Sequence, residues 1–144
     1  MKNKSLIFIF TLITTIALLH VSATNLFWYW KFWWFDIMMH FLGGLWVGLM
    51  SLWLYYFSGF NSHPRKEKKF VFLFSIISVL TIGIGWEVFE VLIQSNLSNG
   101  YWVDTTQDLI MDTLGALTAG FLCLKSNHKQ QTEEGIFPKN NEEE

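Results

Sequence analysis

Four long apolar segments constrain this chain more than any other feature of its sequence. Each holds about 20 predominantly apolar residues, the length that crosses about 30 Å of hydrocarbon. The segments cover about residues 5–23, 33–57, 70–94 and 107–125. Inside hydrocarbon every backbone polar group has to be paired within its own segment, and an α-helix meets that requirement. We therefore predict an all-α fold, an integral membrane bundle of four transmembrane helices that forms a single domain over residues 1–125.

The composition excludes several other classes of protein. Charged residues make up 15% of the chain, against about 25% in soluble domains. The net charge of -2 offers no basic surface for nucleic acid. Cys123 is the single cysteine, so the chain has no internal disulfide and no thiolate pair for a structural zinc site. The polar C-terminal tail, residues 126–144, has too few apolar groups to offset the entropy lost on ordering, and we predict that it is disordered.

The lysine and arginine distribution predicts the orientation, because positively charged loops stay in the cytoplasm. With the N-terminus inside, nine of the ten basic residues are cytoplasmic and only Lys31 lies outside. We predict a multi-pass protein of the cytoplasmic membrane with both termini in the cytoplasm. The first segment has an alternative interpretation, because Lys2 and Lys4 precede an apolar run that ends at Ala23 and resembles a cleavable signal peptide. Cleavage would leave three spans with the same sidedness.

Ionisable residues inside the apolar segments are the candidate functional residues, because hydrocarbon does not solvate charge. The second segment places Asp36 and His40 four residues apart, on one helical face. The third places Glu87 and Glu90 three residues apart, again on one face. The fourth carries acids at successive four-residue steps, namely Asp104, Asp108 and Asp112. Small residues in the second and third segments are predicted to allow close helix contact, namely Gly43, Gly44, Gly83 and Gly85.

The predicted topology places these acids in the outer half of the membrane. At about 1.5 Å of rise per residue, Asp36, Glu90 and Asp108 lie within one or two turns of the outer boundary. His40 and Glu87 lie about a turn deeper, so all five residues can share one layer. Carboxylates gathered in a low-dielectric region repel one another unless some are protonated or a cation binds among them. His20 has no paired carboxylate in its own segment, and we do not assign it to this cluster.

Several of the acids also have purely structural interpretations. Asp104 can cap the N-terminus of the fourth helix, with Gln107 at the third helical position. Asp108 would be favoured by the positive end of the helix dipole. Glu87 and Glu90 have the weakest structural explanation, because a negative charge at the C-terminal end of a helix opposes the dipole. The whole cluster can also be a polar contact between helices without any chemistry.

The order of these motifs resembles the YjdF-type inner-membrane proteins and, more distantly, the VanZ-like membrane proteins. The motifs are Asp36-x-x-x-His40, Trp86-Glu87-x-x-Glu90, and Trp102-x-Asp104-Thr105-x-x-Asp108 followed by Leu114-Gly115-Ala116. The resemblance covers about residues 33–120 and implies a multi-span bacterial membrane protein. The VanZ-like group implies a link to glycopeptide resistance at the cell envelope, and neither group supplies an established reaction. The chain departs from the YjdF pattern in a short loop before Asp104 and in Asp112, which has no matching acid there.

Our first functional hypothesis is a membrane enzyme that uses a divalent cation to act on a lipid or lipid-linked envelope substrate. Carboxylates with one imidazole suit Mg, Mn or Zn, which polarise phosphoryl or carbonyl oxygens and activate water. The predicted metal ligands are Asp36, His40, Glu87 and Asp108. The predicted catalytic base is Glu90 or Asp104. The alternatives are a non-enzymic ion- or proton-linked membrane protein and a cluster with a purely structural role.

Overall fold

A computed structural model describes the backbone of residues 2–59, 64–65, 67–93 and 101–134, and their side chains except at 2, 90, 93, 101 and 127–134. These residues form helices α1 (Lys2–Leu26), α2 (Trp28–Lys31), α3 (Trp33–Phe57), α4 (Lys68–Ile93) and α5 (Tyr101–Glu134). Four of them are long and apolar enough to cross a membrane, over Asn3–Leu26, Trp33–Phe57, Lys68–Phe89 and Trp102–Ser126. The all-α class and the four candidate spans are therefore confirmed.

The fourth predicted segment differs from its helix at both ends. Helix α5 begins at Tyr101 rather than at residue 107. Asp104 therefore lies inside the first turn, and its interpretation as an N-cap is wrong, although an acid there still complements the helix dipole. The α5 backbone also stays helical past the predicted end of the span, as far as Glu134. Disorder of the tail stays a prediction, and residues 135–144 lie outside the described part of the chain.

An aromatic connection reverses the chain between α1 and α3. Phe27 adopts the left-handed conformation, with φ of 59° and ψ of 35°, and the single turn of α2 follows it. The rings of Trp28 and Tyr29 then pack edge-on against Phe35, with centroid distances of 5.6 and 5.1 Å. Phe35 is buried at the start of α3. This packing holds Tyr29 beside the first turn of α3, the turn that carries Asp36.

Small residues bring α3 and α5 together side by side. A Cβ atom added to Gly44 would lie 2.7 Å from the Asp112 Cα, and one added to Gly115 would lie 2.9 Å from the Gly44 carbonyl carbon. Real Cβ atoms do not approach other atoms that closely, so both contacts require glycine. The backbones of α3 and α5 therefore touch directly, as small residues permit between membrane helices. The predicted close contact is found at Gly44, whereas Gly43 faces open space.

Helix α4 closes the other side of this pair. The buried Ser75 hydroxyl donates a hydrogen bond of 2.9 Å to the carbonyl oxygen of Ala116 in α5. Helix α1 packs against α3 and α2, and in the described residues it contacts neither α4 nor α5. The core of the bundle is therefore built by α3, α4 and α5, and α3 is the helix of this core that α1 packs against.

Candidate metal centre

Three ionisable side chains meet at the end of the bundle where α3 and α5 begin. The His40 Nε2 atom lies 3.6 Å from Asp108 Oδ1 and 3.9 Å from Asp36 Oδ1. One ligand atom from each of these three residues lies within 4.8 Å of the other two. Helices α3 and α5 run parallel, since Gly44 lies against Asp112 and Gly48 against Ala116, and their N-terminal turns therefore lie at the same end. The three side chains are spaced so that one cation could contact all of them.

A third acid faces the other nitrogen of the imidazole. Asp112 Oδ1 lies 3.6 Å from His40 Nδ1, so both ring nitrogens of His40 have a carboxylate neighbour. When Nδ1 carries the proton and faces Asp112, Nε2 presents its lone pair to Asp36 and Asp108. Metal-binding histidines commonly have this arrangement, in which a carboxylate fixes the ring and its tautomer through the nitrogen that does not bind the metal. The predicted ligand set does not include Asp112, although its four-residue step from Asp108 places both on one face.

Helix α4 contributes space to this arrangement. A Cβ atom added to Gly83 would lie 2.7 Å from Asp112 Oδ2 and 3.3 Å from Leu109 Cδ2. The absence of a side chain at position 83 therefore lets the Asp112 carboxylate fit between the helices. Gly85, the other glycine predicted to allow close contact in this helix, faces open space.

The negative charge of this cluster is not balanced by the residues around it, and two of its three acids are buried. The Asp108 and Asp112 side chains are 8% and 10% exposed, and that of Asp36 is 41% exposed. Asp108 Oδ1 is inaccessible and receives no hydrogen bond from the described residues. Three carboxylates surround one imidazole, so even a protonated His40 leaves negative charge uncompensated. Buried charge of this kind is costly, and protons or a cation have to balance it.

Two more of the predicted site residues lie beside this group. Glu87 is buried on α4, and its Oε2 accepts a hydrogen bond of 2.7 Å from the Thr105 hydroxyl of α5. Glu87 and Asp104 are both close enough to act electrostatically on Asp36 and Asp108. Asp104 is exposed near the start of α5. The side chain of Glu90 lies outside the described residues.

Two residues that the sequence did not assign to the cluster lie next to it. The His20 Nδ1 atom is 2.8 Å from the Tyr29 hydroxyl, which ties α1 to the aromatic connection. Burial, and then the negative charge of Asp36, raise the pKa of Tyr29 above its ordinary value. Tyr29 therefore stays a neutral phenol beside Asp36. His20 lies in the first predicted segment and Tyr29 lies between the first and the second, and no spacing in the sequence pairs them.

The fold and the site define a multi-span helical membrane protein with a buried acid–imidazole cluster at one end of its bundle. Comparison with known families matches residues 4–129 to the family described as predicted membrane protein (DUF2238), and the chain belongs to that family. YjdF is its known member, so the YjdF-type resemblance is confirmed, whereas the match gives no support to the VanZ-like one. No curated protein and no solved structure matches the chain.

Proposed function

We propose that this protein binds a divalent cation at Asp36, His40 and Asp108 and acts as a membrane enzyme on a lipid or lipid-linked envelope substrate. The observation that carries the proposal is the position of His40 between Asp112 on one side and the two other acids on the other. Asp112 is placed to orient the ring, and one carboxylate oxygen from each of the other two acids lies near the opposite nitrogen.

The ligand types limit which cations can bind at this site. Two carboxylates and one imidazole suit Mg, Mn or Zn. Three protein ligands leave coordination positions for water or a substrate oxygen, as in catalytic metal sites. A cation bound there would polarise a phosphoryl or carbonyl oxygen and activate water. The exposed part of Asp36 supplies an opening through which such an oxygen can enter.

The remaining predicted residues keep their roles within this proposal. Glu87 is the predicted fourth ligand, and the Thr105 hydroxyl is placed to hold its carboxylate in one orientation. Asp104 and Glu90 are the predicted general bases, and the exposure of Asp104 would let it reach a water at the edge of the site. A proton-linked function is less well supported, because the spans carry no Asp or Glu between this cluster and the opposite end of the bundle.

Sidedness follows from the basic residues, and we propose that the site faces the outer leaflet of the cytoplasmic membrane. A reporter that is active only in the cytoplasm should be silent when fused after Ser98 and active when fused after Lys129. Fusion after Lys66 serves as an internal control, because that loop should also be cytoplasmic. The reverse pattern would place the site at the inner leaflet and would rule out an envelope substrate at the outer face.

Metal content tests the proposed site directly. Protein purified in detergent should contain about one divalent ion per chain by elemental analysis, because the ligand atoms converge on a single point. His40→Gln removes the central ligand and should lose that ion. Glu67→Gln, a change at an exposed acid at the opposite end of the bundle, should keep it. A metal-free wild type after growth and purification with Mg, Mn and Zn present would refute the metal site.

A further inference from the structure

A cavity lies at the opposite end of the bundle from the acid–imidazole cluster. Its volume is about 590 Å³, and it lies between α1, α3 and α5. The cavity exists because α1 packs along α3 but does not contact α5 in the described residues, which leaves a gap beside α3. Most of its wall is apolar, formed by Phe8, Ile9, Leu49, Leu52, Trp53 and Leu122. None of the proposed metal ligands lines it.

The same cavity has a polar and basic end. Lys4, Ser5 and Ser126 line it together, although they come from the start of α1 and the end of the α5 span. Ser126 directly follows Lys125 in the chain. The wall therefore combines a long apolar surface with an ammonium group and two hydroxyls at one end.

The connection before α4 adds a further basic residue at this end. Pro64 lines the cavity, and the Tyr56 hydroxyl donates a hydrogen bond of 2.6 Å to the carbonyl oxygen of Arg65. The backbone N–H of Arg65 in turn donates to the Tyr55 hydroxyl at 3.2 Å. Two tyrosines of α3 therefore fix Arg65 beside the lining residue Pro64. Among the side chains described at this end of the bundle, Glu67 is acidic, and five are basic, namely Lys4, Arg65, Lys68, Lys69 and Lys125.

We propose that this cavity binds one anionic phospholipid, with an acyl chain against the apolar wall and the phosphate at Lys4. The volume lies within the range of about 300–1,000 Å³ that is usual for small-molecule sites. In a bilayer the abundant apolar occupant is an acyl chain, and basic pockets between membrane helices on the cytoplasmic side select anionic head groups. The basic end of this cavity is complementary to a phosphate and not to a neutral or cationic head group.

Cys123 provides a reporter for occupancy, because it lines the cavity and is the single cysteine. The full chain, with residues 1–26 verified by intact mass, is placed in vesicles of phosphatidylcholine alone or of phosphatidylcholine with phosphatidylglycerol. N-ethylmaleimide should react with Cys123 about tenfold more slowly when phosphatidylglycerol exceeds its dissociation constant about tenfold. Inorganic phosphate should give no protection, because it lacks the acyl chain.

Native mass spectrometry of the detergent-solubilised protein gives a second readout that does not depend on the thiol. Phosphatidylglycerol should remain bound at one molecule per chain, in preference to phosphatidylcholine. Lys4→Gln should weaken its binding about fivefold, the equivalent of the ~1 kcal/mol that one basic residue contributes near an anionic surface. Lys31→Gln makes the same change in α2, away from the cavity, and should leave binding unchanged.

Three results would overturn the proposal. The first is retention of neither lipid together with equal labelling rates in both kinds of vesicle. The second is equal binding of phosphatidylcholine and phosphatidylglycerol, which would mean that the cavity binds an acyl chain but does not select the head group of the lipid. The third is binding that Lys4→Gln and Lys31→Gln reduce equally, which would place the head group elsewhere.

Discussion

Replacing Gly44 with alanine should destabilise the bundle by about 1–3 kcal/mol, the usual effect of forcing an extra methyl group into a packed core. The new Cβ would lie 2.7 Å from the Cα of Asp112, and backbone atoms cannot yield as the end of a flexible side chain can. Helices α3 and α5 would have to separate. Thermal or denaturant unfolding in detergent, followed by circular dichroism, measures the change.

The neighbouring glycine provides the matched control. Gly43 has open space around its Cα, so Gly43→Ala meets no obstacle. Alanine is favoured over glycine in a helix by about 0.5–1 kcal/mol, and this variant should therefore be neutral or stabilising. Two adjacent residues are thus expected to respond with opposite signs. Equal destabilisation by both would contradict the close contact of α3 with α5.

Much of the fold can be predicted from the sequence because hydrocarbon imposes both length and helicity on each span. The second segment was predicted at residues 33–57, the bounds that α3 has in the structure. The sequence does not predict the start of α5, because Asp104 and Thr105 are residue types that commonly cap the N-terminus of a helix. In the structure both residues lie inside α5, and the Thr105 hydroxyl donates a hydrogen bond to Glu87 of α4. A contact of this kind between two helices leaves no pattern in the neighbouring sequence.

The candidate site was predictable in part for a similar reason. The direction of each span places Asp36, His40 and Asp108 at one end of the bundle, and the structure brings them together. Their role as ligands stays a prediction. The position of Asp112 depends on the register between α3 and α5, which the contact between Gly44 and Gly115 sets. The sequence contains both glycines but does not show which turn of one helix meets which turn of the other.

Asp108→Asn should weaken metal binding while it keeps the shape of the side chain. This change replaces a buried anionic ligand with a neutral one, and affinity should fall by an order of magnitude or more, because ligand charge sets affinity in oxygen-rich sites. Asp112→Asn should lower the metal affinity about 10- to 100-fold, because Asp112 orients the His40 ring. Titration calorimetry measures both, with Glu67→Gln, at an exposed acid at the opposite end of the bundle, as the control. Glu87→Gln tests the predicted fourth ligand in the same series.

The stability of the same variants separates a metal site from a structural polar cluster. A bound ion stabilises the native state by about 2.7 kcal/mol at a hundredfold excess over its dissociation constant, so a chelator should lower the melting temperature of the wild type. Asp108→Asn should melt at the lower temperature with or without chelator. In a cluster that binds no ion, the amide would instead remove a repulsion among Asp36, Asp108 and Asp112 and leave stability unchanged or higher. A wild type that is insensitive to chelator, together with a stable Asp108→Asn protein, would therefore exclude the metal and leave a polar contact between helices.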